Sequence, residues 1–214
     1  KLAHELDGRR PDYLVISHME PDHSGSILRL AERYPEMQLV GNAKTFAMLR
    51  QFFGADAPSN DRLLEVGEGE TLPLGAHTLH FMLAPMVHWP EVMVAYEETE
   101  KILFSADAFG RFGALSRTAA APWAPQARRY YYNIVGKYGA QVQALLKKAS
   151  SLEIETICPL HGPVLTGGAL AEALRLYDLW SRWPSEAPEE LLLAPASRPG
   201  TTARAADLLT HKLD

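Results

Sequence analysis

The sequence predicts an α/β fold in which two β-sheets pack face to face with helices on the outside. Three observations carry this. Helical and strand periodicities alternate in the outer parts of the chain, whereas residues 62–105 form a succession of short strand segments. Each sheet and each amphipathic helix must bury one face, and a layered packing buries all of them. The 214 residues, 47% of them hydrophobic and 22% charged, suffice for one substantial core with an ordinary surface.

Residues 1–10 read as the end of a helix that Asp7-Gly8 terminates. Tyr13-Leu14-Val15-Ile16 is a short buried strand ending in a turn. Residues 24–34 form a helix with Ile27, Leu28, Leu30 and Ala31 on its apolar side, and 37–41 a strand. Asn42 caps a helix that runs to Phe53 and ends at Gly54. Segments 62–66, 70–74, 77–84 and 92–96, bounded by Gly, Pro and acidic turns, have the pattern of an antiparallel sheet. Residues 101–105 are another buried strand, 130–150 the longest helix, 155–159 a strand and 168–183 a helix. The polar, proline-bearing stretch 184–190 reads as a linker. Beyond it, a buried strand at 191–194, a small-residue loop at 197–202 and a helix at 203–213 form the strand, phosphate-type loop and helix with which a flavodoxin-like domain opens.

The net charge of −5 and the lack of a dense Lys/Arg run argue against a nucleic-acid surface. The longest basic cluster, Arg128-Arg129, precedes Tyr130-Tyr131-Tyr132 and reads as a packed strand or helix start. No apolar run is long enough to span a bilayer and no signal peptide opens the chain. The single cysteine, Cys158, cannot form an internal disulfide, which points to a reducing, cytoplasmic location; its setting suggests a buried strand residue.

The most informative stretch is Ser17-His18-Met19-Glu20-Pro21-Asp22-His23, four potential metal ligands within six residues directly after a strand. Side chains on alternate residues leaving a strand can face one point. Further metal-capable residues sit at strand ends or in bent loops: His88 in Pro85-Met86-Val87-His88-Trp89-Pro90, Asp107 after the strand at 101–105, and His161 between Leu160 and Gly162. A lone His of this kind is usually structural; the succession of four such segments is the signal. His4, His77, His80 and His211 lack a partner motif and read as surface or turn residues, and Glu70 and Glu91 as ordinary solvated carboxylates. Carboxylate oxygen is harder than imidazole, so Glu20, Asp22 and Asp107 suit iron better than a zinc-only site.

The order His-x-Glu-x-Asp-His, His, Asp, His resembles the metallo-β-lactamase superfamily, whose hydrolases usually carry His-x-His-x-Asp-His. Glu20 in place of the second His resembles the flavodiiron protein family. So do Met86-Val87-His88-Trp89-Pro90, Phe104-Ser105-Ala106-Asp107-Ala108-Phe109-Gly110, Asn133-Ile134-Val135-Gly136-Lys137-Tyr138 and Cys158-Pro159-Leu160-His161-Gly162-Pro163. The likeness runs from about Pro11 to the end. It implies a metallo-β-lactamase-like αββα four-layer sandwich holding two non-haem irons, over residues 1–183 and lacking its N-terminal part. After the linker, 191–214 would be the start of a flavodoxin-like FMN domain. His18, Glu20 and His88 would hold one iron, Asp22, His23 and His161 the other, and Asp107 would bridge them; the counterpart of His23 does not ligate in every family member. Trp89 would lie beside the site. Ser197, Gly200, Thr201 and Thr202 would cradle the FMN phosphate, with Arg198 adding charge, while Pro195 stands where relatives often carry Tyr. The implied activity is reduction of dioxygen to water or of nitric oxide to nitrous oxide in anaerobes or microaerobes. Electrons would come from a rubredoxin-type protein or related reductase, in a head-to-tail homodimer that brings one subunit's FMN near the other's irons. Two other readings stay open: a binuclear zinc hydrolase of the same superfamily, and an inactive fold remnant that only binds metal.

Overall fold

The computed structural model describes residues 2–118 and 121–182, within the unit Lys1–Trp183. The expected linker at 184–190, strand at 191–194, loop carrying Ser197, Arg198, Gly200, Thr201 and Thr202, and final helix with His211 lie outside the described residues.

After the short helix α1 (Leu2–Leu6), strands β1 (Tyr13–Val15), β2 (Gln38–Gly41) and β3 (Leu63–Glu65) form a parallel sheet in the order β1-β2-β3. Val15 pairs with Val40, and Val40 with Leu64. The second sheet takes β4 (Thr71–Leu74), β5 (His77–Leu83), β6 (Met93–Glu97), β7 (Ile102–Phe104), β8 (Thr156–Cys158) and β9 (Leu165–Thr166) in chain order. Its neighbours are antiparallel except β7 and β8, which run parallel with Leu103 opposite Ile157.

The alternation of side chains along the strands sorts the core into layers. Tyr13, Val15, Val40 and Leu64 of the first sheet meet Leu72, Leu79, Phe81, Met93 and Ala95 of the second. The opposite faces hold the helices. Leu14, Ile16 and Leu39 pack with Ile27 of α3 (Ile27–Arg33) and Phe46 and Leu49 of α4 (Ala43–Phe53). Met82, Val94, Tyr96, Leu103 and Ile157 pack with residues of three more helices described below. This is the αββα sandwich.

Asn42 caps α4 as expected, its Oδ1 accepting from the N–H groups of Lys44 and Thr45 at 3.0 and 3.1 Å, and Gly54 ends the helix at φ +55°. Five expectations need correction. The segment at 62–66 supplies β3 of the parallel sheet, where it pairs with β2; Leu63 packs on the helix side and Leu64 and Val66 between the sheets, so both faces are apolar as a parallel strand's are. The helix expected at 24–34 is two, α2 (Pro21–Ser24) and α3, interrupted by the poor helix formers Gly25 and Ser26. The long helix is also two, α6 (Trp123–Ile134) and α7 (Gly139–Ala149), joined by a 3-10 turn at Gly136–Tyr138. Between β7 and α6, α5 (Leu115–Thr118) adds a single turn. The break lets the start of α7 sit on the end of α8 (Gly167–Ser181): a Cβ added at Gly139 would lie 2.5 Å from the Ser181 carbonyl. Finally, Cys158 is half-buried, and burial raises its thiol pKa. Arg128 and Arg129 lie inside α6 rather than at its start, over the rings of Tyr132 and Phe112.

Candidate metal centre

The seven predicted site residues come together at one end of the two sheets. β1 delivers the loop with His18 and Glu20, and Pro21 then opens α2, whose single turn presents Asp22 and His23. His88 comes from the loop between β5 and β6, Asp107 from the turn after β7, and His161 from the loop after β8. The Asp107 turn is tight: Ala106 and Phe109 hold positive φ (51° and 66°), and the Ser105 hydroxyl donates to the Ala108 carbonyl at 2.8 Å. The His161 loop is tied to this turn, Leu160 N–H donating to the Ala106 carbonyl at 2.8 Å.

Asp107 divides its oxygens. Oδ2 lies 3.3 Å from His88 Nε2 and 3.8 Å from His18 Nε2, whereas Oδ1 lies 3.0 Å from His23 Nε2 and 3.7 Å from His161 Nε2. On the first side, Glu20 Oε2 is 3.3 Å from His18 Nε2 and 3.1 Å from His88 Nε2. On the second, Asp22 Oδ2 is 3.3 Å from His161 Nε2 and 3.5 Å from His23 Nε2. The donors form two groups, His18–Glu20–His88–Asp107 and Asp22–His23–His161, each within 4.8 Å.

These spacings fit cations. Two ligands each about 2.0–2.2 Å from one first-row ion stand roughly 3.0–3.5 Å apart when adjacent. The Nε2 atoms of His23 and His161 are 3.1 Å apart, and at most one of them can donate to the other. Asp107 Oδ1 is buried and, despite its nearness to His23, has no aligned hydrogen-bond donor among the described residues. An ion between these groups would satisfy both features. Burial pushes the Asp107 carboxyl up, but His23, His88 and His18 outweigh it and hold the group well below the usual range. Burial lowers the imidazoles of His23 and His88, and the neighbouring carboxylates, Asp107 with Glu20 and, for His23, Asp22, more than reverse this.

Trp89 stands edge-on to His18 at 5.2 Å between ring centroids. A cavity of about 560 Å³ opens on the site, lined among others by Glu20, Asp22, Asp107, Tyr130 and His161. Burial and then the Asp107 carboxylate push the Tyr130 phenol far up, so it stays protonated.

One expectation fails outright. Glu91 is buried at 1% exposure, and its Oε1 accepts from both His18 Nδ1 and the Met19 N–H at 2.8 Å. Its partner is 73 residues away, and the only local signal was its place after the His88-Trp89-Pro90 turn. Tyr130 was likewise legible only as part of a packed tyrosine run. His77 and His80 keep side chains 45% and 37% exposed, as expected of surface residues, but stand in a strand rather than a turn and pair with Glu97 and Glu98. Glu70 is exposed, as expected.

Residues 1–162 match the family described as ODP family beta lactamase. The rubredoxin-oxygen oxidoreductase of Megalodesulfovibrio gigas is 34% identical over 174 residues, 78% of this chain and 42% of the relative. The nitric oxide reductase of Moorella thermoacetica is 29% identical over 190 residues, 86% and 46%. Among solved structures, the flavodiiron protein from Giardia intestinalis superposes with a TM-score of 0.73 at 31% identity, covering 79% of this chain and 42% of that one. The chain thus spans less than half the length of these relatives. It belongs to the ODP beta lactamase family and, within it, is of the flavodiiron type.

Proposed function

We propose that residues 1–183 are the diiron domain of a flavoprotein oxidoreductase that reduces dioxygen to water, nitric oxide to nitrous oxide, or both. The observation that carries this reading is the Asp107 carboxylate, which turns one oxygen to each of two donor groups. That arrangement suits a bridge between two ions of the kind found in two-metal sites. His18, Glu20 and His88 would hold one iron and Asp22, His23 and His161 the other. The iron pair would supply electrons to a diatomic substrate.

The protein's own part is binding and shaping. Three carboxylates set against four imidazoles favour iron over a softer zinc set. His18 and Asp107 are fixed and buried, while the half-exposed Asp22 and His161 face the cavity through which a small substrate enters. Tyr130 presents a neutral phenol beside Asp107, a hydroxyl able to donate to a bound oxygen atom. On the same reading, 184–190 are a linker and 191–214 begin a flavodoxin-like domain, with Ser197, Arg198, Gly200, Thr201 and Thr202 at the FMN phosphate. A rubredoxin-type donor and a head-to-tail homodimer complete the proposed electron route.

The test is anaerobic reconstitution with ferrous iron, followed by anomalous scattering at the iron edge. Two irons per chain between the named side chains, with oxygen or nitric oxide consumption by the full-length reduced protein, are expected. Stoichiometric zinc that iron does not displace would favour the hydrolase reading instead.

A further inference from the structure

We propose that Glu91 is a positioning residue: it presets His18 in the tautomer that carries its proton on Nδ1 and makes the His18–Glu20–His88–Asp107 pocket the tighter, first-filled of the two metal positions. The proposal rests on the metal-centre reading above and adds an order of loading and a cause for it.

A free imidazole exchanges its proton between two nitrogens, and a metal needs the bare one. An ionised carboxylate only accepts, so the 2.8 Å contact with Glu91 Oε1 requires Nδ1 of His18 to hold the hydrogen. Nε2 is then left as a lone pair facing Glu20 and Asp107. The same Glu91 oxygen takes the Met19 N–H, fixing the backbone one residue beyond the ligand. Glu91 is itself held: its carbonyl accepts from Asn42 Nδ2 at 2.7 Å, and Asn42 is anchored as the cap of α4. The brace ties the loop before β6 to the loop after β1, alongside the Met93 N–H to Ser17 carbonyl bond at 3.0 Å.

The second pocket has no such device. Among the described residues, the polar contacts of its His23 and His161 run through Nε2, as do those of His88 in the first pocket. Its members Asp22 and His161 are also half-exposed, whereas His18 and Asp107 are buried. With Asp107 lending one oxygen to each side, four donors face either position; on the first a histidine is preset, whereas on the second two partly exposed donors must be ordered on binding.

The experiment uses the full chain, wild type and with Glu91→Gln or Glu91→Met. Glutamine keeps an acceptor and drops the charge; methionine drops both at similar size. Long-range ¹⁵N–¹H spectra of the metal-free protein read the tautomer, and cobalt(II) titration followed by its visible absorption reads the two affinities. In the wild type, His18 should be protonated at Nδ1 before any metal is added, and cobalt should bind in two resolved steps. The first step should weaken about 10- to 100-fold in Glu91→Gln, more in Glu91→Met, with the second little changed. A role confined to stability would lower the unfolding temperature and leave the tautomer and the ratio of affinities untouched, which would overturn the proposal. So would a wild-type His18 protonated at Nε2, or equal weakening of both steps. A wild-type chain that takes up no cobalt would overturn the metal-centre reading and the loading order with it, while the tautomer spectra would still decide whether Glu91 sets His18.

Discussion

Asp107→Asn is the substitution that most directly probes the proposed bridge. It keeps the size of the side chain and removes one negative charge. The geometry dictates an unequal result. With Oδ1 toward His23 and His161 and Oδ2 toward His88 and His18, the amide must present its NH₂ to one pair. That pocket loses an acceptor outright, and the other keeps only a neutral carbonyl. Changes to groups that merely orient a ligand cost 10- to 100-fold in metal affinity, so loss of a bridging charge should reach at least about 100-fold at each pocket. Suppose ferrous ion is present at about 100 times the wild-type dissociation constant of each site. Binding then stabilises the wild type by about 2.7 kcal/mol per site, and the variant by only about 0.4. The difference over two sites is about 4.6 kcal/mol, which in a unit of this size is a melting-temperature gap of roughly 9–18 °C. The assay is anaerobic thermal unfolding of both proteins with and without iron. Only the metal-induced gain is compared, so any change in the metal-free protein cancels. A variant whose gain equals that of the wild type would refute the bridge.

Three other outcomes are expected. Gly162→Ala should destabilise the unit by roughly 2–4 kcal/mol, since φ is +99° and the new Cβ would lie 3.0 Å from Arg111 Cγ and 3.3 Å from its backbone nitrogen; an unfolding temperature within a degree of wild type would contradict this. Glu97→Gln should lose an acid-sensitive contribution. Burial raises this carboxyl, but the N–H groups of Glu100 and Thr99 and the His77 ring outweigh it and hold the pKa at about 2. A depressed carboxylate stabilises the fold above its ordinary pKa and ceases to as pH falls through the folded value. The gap in urea midpoint between wild type and variant should therefore be full above about pH 5 and close toward pH 2; a gap independent of pH would show that the charge is not what matters. Glu20→His should move metal preference toward zinc in an iron–zinc competition, because it exchanges a hard oxygen for a softer nitrogen; unchanged iron preference would count against the hardness argument.

What could be read from the sequence was local or periodic. The strand at Tyr13–Val15, the Asn42 cap and the Gly54 stop each depend on a few adjacent residues, and each is found in place. The seven donors were legible because each follows a strand, and strand ends on one side of a sheet converge. Glu91 was not legible, since its meaning lies in a histidine 73 residues away and its own neighbours look like a solvated turn. The break in the long helix had a signal in Gly136 and Gly139, but the apolar spacing continues through it. The close approach of the Ser181 carbonyl to Gly139 that accompanies the break is a tertiary contact, which local spacing does not show. The same holds for β3: parallel or antiparallel pairing depends on which sheet it joins, and that is set by distant strands.

The placement of the donors bears on what the metals do for the fold. His18, Glu20, Asp22 and His23 leave the first sheet, whereas His88, Asp107 and His161 leave the second. Each donor group therefore takes members from both sheets, and neither pocket exists until the sheets are packed. Metal binding and inter-sheet packing are then one linked equilibrium, in which ions that bind only the packed form stabilise it. The Glu91 brace joins the same two loops in the absence of metal. It lowers the ordering that the first ion must impose, which is why a carboxylate that contacts no metal position can govern the affinity of one of them.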